Sequence, residues 1–210
     1  MSDGAYGTTT PDQRDCLNEV GNATTRLATL FDKIVLATEM MTGQLELKAE
    51  AVDLAGLLDH VEERLRPYAE QRGVTLQSIR KGSALSCQGD RRLLTEALVQ
   101  LTLNAIQASP KQGRVTLSCA VTPDALALVV EDTGEGIPAD KLGGLFQRFH
   151  WTGGADDRKT GGMGLGLFIA KTAIDAHGGT IMAESRDGAG TRMTVSLPVA
   201  KASLLRRSSS

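Results

Sequence analysis

The sequence predicts an α+β fold of two layers, with helices on one face of a mixed, mostly antiparallel sheet, preceded by a long helical arm. Three observations predict it. Leu17, Val20, Thr24, Leu27, Phe31, Ile34, Thr38 and Met41 recur alternately three and four residues apart, a heptad seam of more than three repeats. Beyond this seam, runs of helical spacing are interleaved with short runs of period two. Residues 132–162 are rich in Gly and Asp, lack periodicity and exceed an ordinary connection, so they read as a functional loop.

Residues 1–10 are small and polar and read as a disordered start or an expression leftover. Pro11 opens the arm, residues 11–43, and Gly43 ends it. Such a seam must be buried, as one core helix of a monomer, in a helical hairpin or at a dimer interface. The main domain is expected over 44–198. It begins with a strand at 44–48, QLELK. Asp53 caps a helix through about Arg72, whose apolar residues are Leu54, Leu57, Leu58, Val61, Leu65 and Tyr68. Gly73 breaks it, 74–79 alternate as a strand, and a loop leads to Asp90, the cap of a helix over 91–108. Strands 113–120 and 125–131 read as a hairpin with Pro123 and Asp124 in its turn. A helix over 163–176 and strands at 178–185 and 190–198 close the domain, and 199–210 read as a flexible tail.

A chain of 210 residues holds one good core, or one domain with an appendage, and needs no staple. The net charge of -2 recommends neither nucleic acid nor an anionic membrane as a partner. Cys16, Cys87 and Cys119 have neither metal spacing nor a disulfide pattern, which points to a reduced, cytoplasmic compartment. No apolar run approaches 18 residues, so the chain reads as soluble, with room for a membrane anchor in a longer parent.

Three stretches carry chemistry. On the helix 91–108, Leu94, Ala97, Leu98, Leu101, Ala105 and Ala108 share one face and Glu96, Gln100, Asn104 and Gln107 share another. Such a stripe is most often solvated, but an Asn amide oxygen is also a hard ligand suited to Mg²⁺. In EDTGEGIP, 131–138, Asp132 ends a strand and Gly134 and Gly136 follow. A carboxylate there accepts from an exocyclic amine such as that of adenine, and glycines let a flat ring approach the backbone. In TGGMGLGLFIAK, 160–171, four glycines lead straight into a helix, whose free N–H groups attract phosphate. This is neither a Walker A loop nor a dinucleotide fingerprint, since no Gly-Lys-Ser/Thr and no βαβ unit frame it.

Taken together, in this order, these stretches resemble the sensor histidine kinases of two-component signalling, within the superfamily that includes gyrase, the ninety-kilodalton heat-shock chaperones and MutL. LLTEALVQLTLNAIQAS resembles the N box, VEDTGEGIP the first glycine box, LFQRF (with Phe146 and Phe149) the F box and GGMGLGL the second glycine box. GAGTRMTVSLP, 188–198, resembles the terminal glycine-threonine strand, and the resemblance covers about 11–198. It implies the Bergerat ATP-binding fold, with ATP and Mg²⁺ as ligands. Asn104 would bind Mg²⁺ and Asp132 the adenine amino group. Gly134, Gly136 and Ile137 would shape the base pocket. Gly162, Gly164, Leu165 and Gly166 would flank the triphosphate, and Thr191 would support the adenine side. Phe149 would belong to the lid, about 146–161, and Gln107 stands where a phosphate-contacting Lys or Arg is common.

The chain also departs from that family. Gln100 stands where kinases often have Asn and the gyrase branch has a water-activating Glu, and Glu96 lies one turn too far back for that role. No general base is identified. His150 and Trp151 replace the frequent Tyr and Arg after the F box, and Arg148, Arg158 and Lys159 are candidate replacements for the lost cations. None of His60, His150 and His177 has the context of a phosphoacceptor. The arm resembles the second helix of a dimerisation hairpin whose first helix is absent. The reading is therefore a catalytic region that passes the γ-phosphate of ATP to a histidine held elsewhere in the parent. Its partners would be that histidine, a response regulator and a second copy through the arm. A phosphotransfer adaptor without catalysis is the alternative. An anti-sigma-type serine kinase and an ATP-driven clamp fit less well.

Overall fold

The structure is a computed structural model and describes residues 10–42, 46–80, 85–121, 125–148, 164–186 and 188–198. The chain divides into two compact units, residues 1–43 and 44–210. The first contains helix α1 (Pro11–Met41). Thr10 and Gln13 form a reciprocal capping box, and Pro11 sits in the first turn, where its missing N–H costs nothing. Of the seam, Leu17, Val20, Leu27, Phe31 and Ile34 are exposed in the single chain. Gly43 lies outside the described residues.

The second unit begins differently from the expectation. Of the expected strand QLELK, residues 46–48 form no strand, and Gln44 and Leu45 lie outside the described residues. The first strand is instead β1 (Glu50–Asp53), which pairs antiparallel with β3 (Ser86–Gly89), a stretch expected to be loop. The ribbon is held by Val52 opposite Cys87, both buried. Leu47, by contrast, is exposed, so the described part of QLELK has no apolar face to bury.

Helix α2 (Leu54–Arg72) starts where expected, because the Asp53 carboxylate accepts the N–H groups of Ala55 and Gly56. Gly73 ends it at φ 69°, a left-handed conformation that suits glycine. Strand β2 (Thr75–Arg80) follows. Asp90 caps α3 (Arg91–Ala108) through the Leu93 N–H. Next come β4 (Arg114–Val121), β5 (Ala125–Asp132), the short α4 (Ala139–Leu142), α5 (Gly166–Ala176), β6 (Thr180–Ser185) and β7 (Thr191–Pro198). The turn at Pro123 and Asp124 lies outside the described residues.

The main sheet has five strands in the order β2-β4-β5-β7-β6. Only β2 and β4 run parallel, joined by the crossover that contains α3, and the other pairs are antiparallel. Register aligns Leu117, Val130 and Met193 in one row, and Cys119, Leu128, Val195 and Ile181 in the next. These residues are buried, and α2, α3 and α5 pack on the sheet. The result is the mixed two-layer α+β sandwich that the periodicities predict. Among the described residues no helix is long and apolar enough to cross a membrane.

His177, at the end of α5, ties that helix to the start of α3. Its Nδ1 lies 2.6 Å from the Ala173 carbonyl and its Nε2 accepts the Asp90 N–H at 2.8 Å, which assigns the Nδ1–H tautomer. Gly89 makes room: a Cβ there would stand 2.7 Å from the imidazole Cδ2. Asp90 is 4% exposed, so His177→Ala strands a buried donor. The expected loss is about 1–3 kcal/mol, read as a lower urea midpoint at unchanged m-value.

Candidate nucleotide site

Helix α3 is met by backbone at two places one turn on either side of Asn104. Toward its start, Gly166 of α5 approaches so closely that an added Cβ would lie 2.7 Å from Gln100 Oε1. Toward its end, a Cβ on Gly134 would lie 2.5 Å from the Ala108 carbonyl oxygen. The first contact is with the Gln100 side chain and the second with the carbonyl of Ala108, the last residue of the helix, so Asn104 lies between them along α3. The half-buried Asn104 is thus bracketed by the two glycine stretches. Along the polar stripe, Gln100 is only 5% exposed and Glu96 and Asn104 are half-buried. Gln107 is exposed and its amide donates to the Tyr68 hydroxyl of α2 at 3.4 Å, so it is not drawn into this bracket.

The strand pleat explains the next group. Val130 and Met193 face the helical layer, and residues two positions on share that face. Asp132 on β5 and Thr191 on β7 therefore end the inward face side by side, and Ser185 on β6 pairs with Thr191. Asp132 Oδ1 accepts the N–H groups of Gly134 at 2.8 Å and Thr191 at 3.2 Å. The Ser185 hydroxyl lies 3.1 Å from Thr191 Oγ1, donates to the Gly190 carbonyl and accepts the Ile137 N–H at 2.8 Å. Burial pushes the Asp132 carboxyl above the ordinary aspartate range, and the two N–H donors oppose that rise without cancelling it.

Two turns interlock around this row. Gly136 has φ 77°, and a Cβ there would overlap the Arg186 carbonyl oxygen. Gly190 also has φ 77°, and its Cβ would overlap the Asp132 carbonyl oxygen. Ser185 and Gly190 were not singled out from the sequence. Gly190 precedes Thr191 in a Gly-Ala-Gly-Thr run that signals a turn, whereas nothing marks Ser185 except its place at a strand end.

At the second glycine stretch, Gly164 has φ 66° and the buried Leu165 leads into α5 without a side-chain cap. The Leu165 carbonyl accepts the Ile169 N–H and so opens the helical ladder. Among the described residues no side chain caps the first N–H groups of α5. Phe149 and Gly162 lie outside the described residues, as do His150, Trp151, Arg158 and Lys159. Phe146 is half-buried, and the Arg148 guanidinium stands 5.6 Å from the centre of the Phe168 ring.

The donor chemistry fits a hard cation shared with a ligand. Asn104 and Gln100 offer neutral amide oxygens, and among the described residues no group of three His, Cys, Asp or Glu side chains could hold a metal. Mg²⁺ commonly keeps part of its water shell and takes phosphate oxygens besides one or two protein ligands, so a sparse donor set suits it.

A family model described as histidine kinase-, DNA gyrase B-, and HSP90-like ATPase matches residues 89–201. The chain is 33% identical over 187 residues to the alginate biosynthesis sensor protein KinB of Pseudomonas aeruginosa, covering 89% of this chain and 31% of that protein. It is 32% identical over 173 residues to the histidine protein kinase DivJ of Caulobacter vibrioides, covering 82% of this chain and 29% of that one. The chain therefore spans about a third of the length of these relatives. Among solved structures, a mycobacterial sensor histidine kinase, MprB, is similar at a TM-score of 0.62 and 28% identity, over 72% of this chain and 97% of the other. Full-length ShkA in complex with AMPPNP is similar in fold at a TM-score of 0.79 and 23% identity, over 93% of this chain and 40% of that chain.

The raised Asp132 carboxyl yields a prediction about stability. An acid whose folded pKa lies above its unfolded one costs stability when ionised, and that cost fades as pH falls through the raised value. Asn at this position keeps an oxygen for the Gly134 and Thr191 N–H groups without the charge. Asp132→Asn is therefore expected to melt no lower than the wild type at pH 7. Its advantage should shrink as the pH of the melting experiment approaches the ordinary carboxylate range.

Proposed function

Because the chain belongs to the histidine kinase-, DNA gyrase B- and HSP90-like ATPase family, we propose that it binds Mg–ATP across α3 and transfers the γ-phosphate to a histidine of a parent sensor kinase. The observation that carries this reading is the bracket on α3: Gln100 against Gly166, Ala108 against Gly134, and Asn104 between. Sensor histidine kinases among the relatives support the acceptor, and a fold neighbour in complex with AMPPNP supports the nucleotide.

Each group then has a task. The second Asp132 oxygen, left by the two N–H bonds to Oδ1, accepts the adenine amino group, while the Ser185–Thr191 pair holds the neighbouring backbone in place. Gly134, Gly136 and Ile137 let the ring lie against the backbone. The N–H groups at Gly164, Leu165 and Gly166 receive phosphate, as helix starts do. Asn104 and Gln100 would hold Mg²⁺, which neutralises phosphate charge when bound. The face needs no base of its own, since phosphoryl transfer rests on positioning and charge neutralisation. Phe149 and Gly162 are assigned to the lid and its junction with α5, and Gln107 to the rim. The exposed seam of α1 is read as a surface that pairs with a second helix, as a hairpin or a homodimer. A response regulator would receive the phosphate from the histidine, and the chain would act in the cytoplasm.

Calorimetric titration tests this reading. Wild type should bind Mg–ATP, and Asp132→Ala should bind it at least about tenfold more weakly, the loss of one charge-assisted hydrogen bond. Absence of binding heat from folded wild type at millimolar Mg–ATP would remove the basis for a kinase.

A further inference from the structure

Gln100 and Glu96 form an arrangement with a consequence for how the phosphates are received. Gln100 is 5% exposed, and its Nε2 donates to Glu96 Oε1 at 2.5 Å, one turn back on α3. Glu96 is in turn approached by the Arg64 guanidinium of α2 at 3.9 Å. A carboxylate only accepts hydrogen bonds, so the Gln100 amide is held with its NH₂ toward Glu96. Reversing the amide would press two acceptor oxygens together at that separation. The other end, Oε1, is therefore turned to Gly166 at the start of α5. Among the described residues, no hydrogen-bond donor reaches this buried oxygen.

Two neighbouring features thus make opposite demands. The uncapped N–H groups of α5 attract an anion, while Gln100 Oε1 beside them repels one. A bare phosphate at the helix start would face the lone pair of this oxygen, to which no described residue donates. A hydrated cation accompanying the phosphate resolves the conflict, because its water or the ion itself satisfies the oxygen.

We propose that Glu96 is a positioning residue that locks the Gln100 amide with its oxygen toward α5, so that the site takes phosphate only in company with its cation. The proposal rests on the Mg–ATP reading above and specifies the residue that couples metal to nucleotide. Glu96 touches neither ligand. Without it the Gln100 amide is free to turn, its NH₂ donates to phosphate, and metal-free nucleotide becomes acceptable.

The measured quantity is the coupling factor, the Kd for ATP in EDTA divided by the Kd with saturating Mg²⁺, obtained by calorimetry on the full chain. Glu96→Leu should lower this factor about tenfold, the scale on which groups that orient metal ligands act, chiefly by tightening metal-free binding. Gln100→Leu, which removes the oxygen altogether, should lower it as well. Thermal melts establish that each variant is folded, and Glu96→Asp, keeping an acceptor on a shorter arm, should retain more of the factor than Glu96→Leu. A coupling factor within about twofold of wild type in folded Glu96→Leu, against the tenfold effect expected of a metal-orienting group, overturns the proposal. Failure of the wild type to bind ATP under either condition would instead overturn the Mg–ATP reading.

Discussion

The close approach of backbone to helix α3 is the constraint on which the site depends. Gly166 comes against Gln100 and Gly134 against Ala108, and at both places an added Cβ would collide with a neighbouring oxygen. The separation of the contacts is set by the helix: about two turns, with Asn104 midway along it. Two stretches far apart in sequence, around Gly134 and Gly166, are thereby fixed to one rigid element. The α3 core side, with Leu94, Leu98 and Leu101 fully buried, anchors that element to the domain.

The Asp132 side of the site follows from the sheet rather than from the helix. A pleated strand repeats every two residues, so the row that buries Val130 and Met193 must deliver Asp132 and Thr191 next to one another at its end. Where apolar packing stops, polar side chains take over the same face. Burial there raises the Asp132 carboxyl, and two N–H groups hold its orientation. Fixing Oδ1 in this way holds the carboxylate in one orientation, and the adenine contact proposed above would fall to its second oxygen.

Much of this was legible in the sequence because glycines, caps and strand ends leave local marks. Asp53 and Asp90 were readable as caps, and they bond the N–H groups of Ala55, Gly56 and Leu93. The stretches around Asn104, Asp132 and Gly166 were readable as candidate ligands, and the fold brings them together along α3. The β1–β3 ribbon was not legible. Only one residue in each strand, Val52 and Cys87, is buried apart from the closing glycine, so neither strand has an apolar alternation, while the QLELK run has one that nothing covers at Leu47. Nor were the Ser185 bridge and the Glu96–Gln100 contact legible: both depend on which side chains a register or a helix turn brings within reach. Glu96 was read only as too distant to activate water, and its contact is with Gln100 instead.

The central claim is that α3, the Asp132 turn and the start of α5 bind one ligand together. Residue-resolved ¹H–¹⁵N NMR during titration with Mg–AMPPNP tests it most directly. The account predicts that amides at 104–108, 132–137, 164–168 and 185–191 shift with a single shared Kd. Shifts confined to one of these stretches, or following different binding constants, would contradict it.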